Sequence, residues 1–215
     1  MSNLKYYDIL YIDPPWQFNK RSNTSTKFGG GAMAHYSTMP MSEIKALDFS
    51  LPLKPNALVY CWITLAKLQE CITAIQSPTL KLVATGFVWI KTNPKLSTSI
   101  ITTDKPQIYY QNKGYSKPFY GVGNYTASNA EICLIFRKGK MLKYENKVSQ
   151  VIISPRDKHS KKPIEAYNKL ETMYPHSKFS KLELFARNTM AYFDTIGDEL
   201  NNINVKDFLN KYKDK

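Results

Sequence analysis

Histidine and cysteine are sparse in this 215-residue chain, three of each, and that scarcity removes several kinds of chemistry. Cys61, Cys71 and Cys133 stand far apart in apolar segments with no C-x-x-C pair. Neither a disulfide framework nor a zinc–cysteine site is expected, and the thiols read as structural. His35 and His159 have no second ligand at metal spacing, so no metal site is expected either. No apolar run approaches the ~20 residues a membrane span requires, and no basic-then-apolar leader opens the chain. The expectation is a soluble protein of the cytoplasm, or otherwise intracellular, with no membrane partner. No Pro/Gly/Ser-rich linker and no internal repeat divides the sequence. One domain is expected over 1–215, with a core at 6–199 and a polar helical tail at 200–215.

Acidic residues are also in short supply: 17 Asp and Glu against 30 Lys and Arg leave a formal charge of +13. Such an excess favours a polyanionic partner, of which nucleic acid is the commonest, and 15 tyrosines among the cations suit the faces of unpaired bases. A lysine-rich surface kept only for solubility is the alternative. A Walker loop is excluded, because the glycines at 29–31 are not followed by Gly-Lys-Ser/Thr.

Against these absences stand short apolar runs that read as strands, at 7–12, 57–63, 82–91, 131–137, 148–153, 181–186 and 189–193. Helical patterns fall between several of them. At 64–76, Thr64 can cap a helix whose Leu65, Leu68, Ile72 and Ile75 share one face. A second, 163–173, has Pro163 in its first turn and repeats Ile164, Tyr167, Leu170 and Met173. A short third fits 42–48, and Ile203, Phe208 and Leu209 can dock the tail. Strands alternating with helices predict an α/β sandwich around a mostly parallel sheet, in which ligands bind beyond the carboxyl ends of strands. The stretches 19–41 and 92–130 carry no such period and read as lids over a substrate.

The first strand runs directly into "DPPW", residues 13–16. Two consecutive prolines remove two backbone donors and fix φ near about −65°, so the carbonyl directions are set rigidly. That rigidity suits a planar heterocycle bearing an amino group. The exocyclic amine of adenine is a poor nucleophile because its lone pair is delocalised into the ring. The Asp13 carboxylate and the Pro14 carbonyl can accept its two hydrogens and return density to the nitrogen, and fixed acceptors need no reorganisation during reaction. Pro15 completes the rigid backbone, and Trp16 offers a stacking face. A strand that merely ends in a proline turn with a core tryptophan would carry the same letters.

Six blocks occur in order: "YYDILYIDPPW" at 6–16, "AHYSTM" at 34–39, "FVWIKTN" at 87–93, "GVGNYTASNAEICLIF" at 121–136, "RDKHSKKPIEAYNKLE" at 156–171 and "KLELFAR" at 181–187. Together they resemble the MT-A70 family of S-adenosylmethionine-dependent adenine methyltransferases, over residues 6 to about 199. The resemblance implies a Rossmann-like class I methyltransferase sheet with helices on both faces, circularly permuted so that the catalytic motif comes early and the cofactor strand late. It implies catalytic roles for Asp13, Pro14, Pro15 and Trp16, and places Tyr36, Asn93 and Glu131 near the target adenine. For S-adenosylmethionine it implies contacts from Asp13, Lys162, Arg187, the loop Asn188, Thr189 and Met190, and the acids Asp198 and Glu199. Asp198 stands where the family usually has asparagine, so it accepts where the amide would also donate. His159 matches a loop histidine with no catalytic role.

The resemblance implies methyl transfer to the 6-amino group of adenine in nucleic acid, with DNA ahead of RNA and a homo- or heterodimer as one possible assembly. The same chemistry on RNA, amino methylation of cytosine, and a non-catalytic nucleic-acid-binding subunit are the alternatives. Retention of Asp13 favours catalysis over the last of these.

Overall fold

Tyr7–Ile12 forms strand β1, and all six of its residues are buried, as in a strand covered on both sides. The computed structural model describes residues 4–17, 38–63, 65–93, 118–121, 125–156 and 161–213. Around β1 it sets β2 (Leu53–Ile63), β3 (Leu80–Thr92), β4 (Ala130–Lys138), β5 (Val151–Pro155), β6 (Lys181–Leu184) and β7 (Asp194–Ile196) in one sheet ordered β5-β3-β4-β2-β1-β6-β7. β1 runs parallel to β2 and β6, β6 to β7, and β3 to β5. Among the strands of the described residues, only β4, between β2 and β3, is antiparallel to its neighbours. The mostly parallel α/β sheet is therefore present, and its one reversed strand brings residues 130–131 to the edge where the other strands end.

Side-chain parity divides the core into two layers. Leu10 and Ile12 of β1 join Val59, Cys61 and Ile63 of β2 and Leu182 and Leu184 of β6 on one face. This face is covered by α1 (Met41–Lys45), α2 (Leu68–Ile75) and α5 (Val205–Asn210) through Ile44, Cys71, Ala74, Ile75, Val205 and Leu209. Ile9 and Tyr11 join Leu58, Tyr60, Trp62, Phe87 and Trp89 on the other face, under Ala166 and Leu170 of α3 (Ile164–Met173). The helices thus lie on both faces. The three cysteines are buried and unbridged.

Several elements differ from the sequence reading. The expected strand 189–193 is a turn, closed by Phe193 N–H on the Met190 carbonyl at 3.3 Å, and β7 follows it. Tyr192 has φ 68°, a left-handed conformation no strand accommodates. β6 stops at Leu184 rather than 186 because Phe185 has φ 62°. The helix expected at 64–76 opens as a 3₁₀ turn, Leu65–Lys67, before α2. That break rotates the buried face to Cys71, Ala74 and Ile75 and leaves Leu65 and Leu68 exposed. Pro163 is the N-cap of α3, one step before the first turn. The tail is two short helices, α4 (Asp198–Asn201) and α5, separated by left-handed Asn202. Val205 and Leu209 carry most of its docking, and the Tyr212 hydroxyl donates to the Lys5 carbonyl at 2.8 Å. Thr64, Tyr36, His35 and His159, and most of the expected lids, lie outside the described residues.

Candidate active site

The registers Ile12↔Leu184, Ile12↔Cys61, Ile63↔Ile132 and Trp89↔Glu131 align one edge of the sheet. There β1, β2, β3, β5 and β6 end and β4 begins. Parity then selects the chemistry at that edge. Asp13 continues the Ile9–Tyr11 face, Lys91 the Phe87–Trp89 face, and Glu131 the Cys133 face, all on the side of α3. Lys162, two residues before α3, enters from above.

The four form an alternating chain. Lys162 Nζ lies 3.1 Å from Asp13 Oδ2 and 2.8 Å from Glu131 Oε2, and Lys91 Nζ lies 2.5 Å from Glu131 Oε1. Lys162 also sits 5.4 Å from the Trp62 ring centroid, with its side chain 10% exposed. A buried ammonium without partners would be strongly penalised, and two carboxylates offset that cost. Burial works against the Lys162 charge, but the two acids prevail and push its pKa above the usual lysine value. For Glu131, burial is likewise outweighed by Lys162 and Lys91, which bring its carboxyl down to about 2. Asp13 behaves oppositely: burial dominates over the pull of Lys162, and its pKa is raised. Glu131 is thus bridged by two lysines and Asp13 by one. The Asp13 carboxylate remains a strong acceptor facing the cleft.

The "DPPW" turn is held by backbone hydrogen bonds on both prolines. Trp16 N–H donates to the Pro14 carbonyl at 2.8 Å, and Met39 N–H to the Pro15 carbonyl at 2.8 Å. One lone pair of Pro14 O is thus engaged and one remains. The Trp16 indole is 6% exposed and donates to the Trp62 carbonyl at 3.0 Å, so core packing fixes it while part of it lines the cleft. The Trp62 indole donates to the Tyr11 hydroxyl at 2.6 Å.

Two cavities meet at Asp13, Pro15 and Arg187. The larger, about 470 Å³, is walled by Pro14, Trp16, Lys91, Glu131, Lys162 and residues 126–130. The smaller, about 150 Å³, lies against Phe185, Ala186, Asp198, Glu199 and Val205. Arg187 Nε stands 3.6 Å from Glu199 Oε2 across the smaller one. Its backbone is tightly closed: a Cβ on Gly197 would lie 2.1 Å from the Ala186 carbonyl oxygen. The large cavity presents acceptors and cations to a planar polar ligand, and the small one offers acids to hydroxyls.

The MT-A70 family model matches residues 7–199. The chain belongs to the MT-A70 family. Among its relatives, the type II methyltransferase M.MunI of a Mycoplasma species is 27% identical over 201 residues, which are 91% of this chain and 78% of the relative. A probable N(6)-adenosine-methyltransferase of Oryza sativa is 26% identical over 96% of this chain but 25% of its own length. A putative N(6)-adenosine-methyltransferase of Medicago truncatula is 25% identical over 96% of this chain and 28% of its own length. The chain thus spans about a quarter of those plant MT-A70-like proteins.

Of the residues expected at an MT-A70 site, Asp13, Pro14, Pro15, Trp16, Glu131, Lys162, Arg187, Asp198 and Glu199 line the two cavities. Asn188 and Thr189 are exposed and Met190 packs on the α3-side core, none of them in a cavity wall. Asn93 follows β3 beyond the lining residues, and Tyr36 lies outside the described residues. One group at the site was not singled out from sequence: Lys91 could have been found by its parity with Phe87 and Trp89 at a strand end. Glu183, at the carboxyl end of β6, is buried behind Asp13, its Oε1 accepting from the Tyr167 hydroxyl at 2.9 Å.

Proposed function

We propose that this chain transfers a methyl group from S-adenosylmethionine to the 6-amino group of adenine in nucleic acid, with DNA ahead of RNA. The observation that carries the reading is Asp13 at the junction of the two cavities, with the Pro14 backbone and Trp16 beside it in the wall of the larger one. A target adenine in the larger cavity would direct its amine at the Asp13 carboxylate and the free lone pair of the Pro14 carbonyl. Both accept hydrogen bonds and concentrate the nitrogen lone pair. The cavity volume of about 470 Å³ falls within the ~300–1,000 Å³ range of small-ligand sites.

The residues present fit the cofactor. Arg187 and Lys162 are cations for its carboxylate, Asp13 is an anion for its positive end, and Asp198 and Glu199 are acceptors for ribose hydroxyls. When bound, S-adenosylmethionine supplies an electrophilic methyl group. Asp13 then holds the amine in line with that methyl, Pro14 and Pro15 keep the acceptor geometry fixed, and Trp16 closes the cleft against water. DNA stands ahead of RNA because the relative this chain nearly spans is the bacterial type II methyltransferase, whereas the plant relatives are far longer. The permuted strand order and an intracellular setting belong to the same reading.

The test is to incubate the protein with labelled S-adenosylmethionine and duplex DNA, single-stranded DNA or RNA, then digest the products. Label in N6-methyladenine is expected, most on DNA; label in methylcytosine, or none on any substrate, would refute the proposal. Arg187→Ala is expected to weaken cofactor binding by ~1.5–3 kcal/mol through loss of a charge-assisted hydrogen bond. Calorimetry showing unchanged affinity in the folded variant would move the cofactor away from the smaller cavity.

A further inference from the structure

Beyond the end of β3, Pro118–Gly121 returns to the sheet as a strap beside the larger cavity. Pro118 forms an antiparallel bridge with Thr92, and Phe119 N–H donates to the Lys91 carbonyl at 2.8 Å. On the β5 side, Arg156 N–H donates to the Thr92 carbonyl at 3.2 Å, and its guanidinium lies 3.8 Å from the Phe119 ring centroid. The strap is also pressed onto the cavity wall: a Cβ on Gly121 would lie 2.1 Å from the Ser128 carbonyl oxygen, and Ser128 lines the cavity. It is therefore held by backbone on more than one side.

This anchored strap nevertheless presents Tyr120 84% exposed, and Tyr125, next to the 126–130 wall, is 99% exposed. They are the most exposed large hydrophobic side chains among the described residues. A single exposed apolar residue needs no explanation. An exposed tyrosine on this anchored strap and a second beside the cavity wall, near an arginine stacked on a phenylalanine, at the mouth of a cleft containing Lys91, Lys162 and Arg187, form a pattern with a chemical counterpart. Single-stranded nucleic acid combines π faces with phosphate charge, and stacking platforms interleaved with cations are how proteins hold it. In a duplex those faces are covered by neighbouring bases. The chain's charge of +13 complements the phosphates.

Resting on the adenine reading of the cleft, we propose that Tyr120, Tyr125 and the Phe119–Arg156 stack form a ledge that holds the unpaired nucleotides flanking the target adenine, so the substrate is single-stranded around that base. Each tyrosine offers a ring to one neighbouring base, and Arg156 supplies a permanent cation to the backbone between them. The ledge reads no sequence, because every base has a face to stack.

The test uses the full chain and a fluorescently labelled single-stranded oligonucleotide with one central adenine. Its companions are the same oligonucleotide with abasic sites flanking the adenine and the matching duplex. Tyr120→Ala and Tyr125→Ala are each expected to weaken binding of the single strand by about 5- to 100-fold. Tyr120→Phe and Tyr125→Phe should retain wild-type affinity, the oligonucleotide with abasic sites on both sides of the adenine should bind the wild type more weakly than either alanine variant binds the intact one, and the duplex should lose far less. Single-strand affinity unchanged in the alanine variants, as for a ledge that docks a protein, would overturn the inference. So would equal losses on single strand and duplex, or failure of phenylalanine to rescue. Methyl transfer measured in the same samples keeps the two readings apart. Wild-type protein that binds single strands through the tyrosines but methylates no adenine overturns the proposed activity alone, and the reverse result overturns the ledge alone.

Discussion

Asp13→Asn is expected to fold as the wild type does and to transfer methyl groups ~10²–10³-fold more slowly, the loss typical when one transition-state electrostatic group is removed. Asparagine keeps the size of the side chain and one oxygen toward Lys162, so the turn held by the Pro14–Trp16 and Pro15–Met39 hydrogen bonds should survive. The charge is what disappears. In the wild type, Asp13, Lys162, Glu131 and Lys91 balance two negative against two positive charges; the variant leaves the set one positive charge in excess. An amine about to become cationic then meets a net positive surrounding, and only the Pro14 carbonyl and a neutral amide oxygen face its hydrogens. Single-turnover rates at saturating cofactor and nucleic acid measure the effect. A rate within about threefold of wild type, in a variant with an unchanged melting temperature, would remove Asp13 from the chemistry. The raised pKa of Asp13 adds a second signature. Protonation below that pKa abolishes the charged acceptor, so the wild-type rate should fall on acidification at a higher pH than an exposed aspartate would give. The residual rate of the asparagine variant should lack that limb.

The face assignments behind this site were legible because they depend on period two. Once 7–12, 57–63, 131–137 and 181–186 are read as strands, alternation alone separates Leu10, Ile12, Leu182 and Leu184 from Ile9, Tyr11 and Glu183. What alternation cannot supply is pairing between distant strands. That β4 reverses between β2 and β3, and so brings Glu131 to Lys91, depends on how a long connection closes, which no local pattern encodes. The positive φ of Phe185 and Tyr192 was hidden for a related reason. Both are aromatic residues, which local preference assigns to extended backbone, and tertiary contacts hold them in the left-handed region against it. The "DPPW" turn was readable because proline rigidity is local. Its electrostatics were not, because the raised pKa of Asp13 and the lowered one of Glu131 depend on burial and on which charges the fold brings beside each, Lys162 and Lys91 for Glu131, Lys162 and Arg187 against burial and Glu131 for Asp13.

Replacing Glu183 by glutamine is expected to stabilise the protein above neutral pH and to flatten its stability against pH. Glu183 is 7% exposed, and while Oε1 accepts from Tyr167, Oε2 has no partner. Burial pushes its carboxyl up to about 8, opposed by the Tyr167 hydrogen bond and reinforced by the charge of Asp13 from the neighbouring strand. Tyr11 of β1 and Tyr167 of α3 are the other titratable groups against it, and burial drives both phenols above their ordinary value, so they stay neutral through this range. At neutral pH the native protein therefore holds a proton on Glu183 that the unfolded chain releases near 4.5. Between those values the folded state binds more protons than the unfolded one, so stability is full below pH 4.5 and declines as pH rises toward 8. At ~1.4 kcal/mol per pH unit the window corresponds to a few kcal/mol, before relaxation around a coupled acid reduces it. Glutamine keeps the acceptor for Tyr167 and has no proton to lose. Denaturant unfolding at pH 5 and at pH 8.5 should show wild type losing a few kcal/mol more than the variant across that interval, the variant being the more stable at the higher pH. The difference between the two proteins isolates Glu183 from Asp13, whose raised pKa gives a slope of the same sign in both. Parallel pH profiles would mean that Glu183 is ionised in the folded protein, with solvent or an unassigned cation reaching Oε2. In that case the back wall of the Asp13 site would be a charged layer, and the burial argument for the raised pKa of Asp13 would lose its basis.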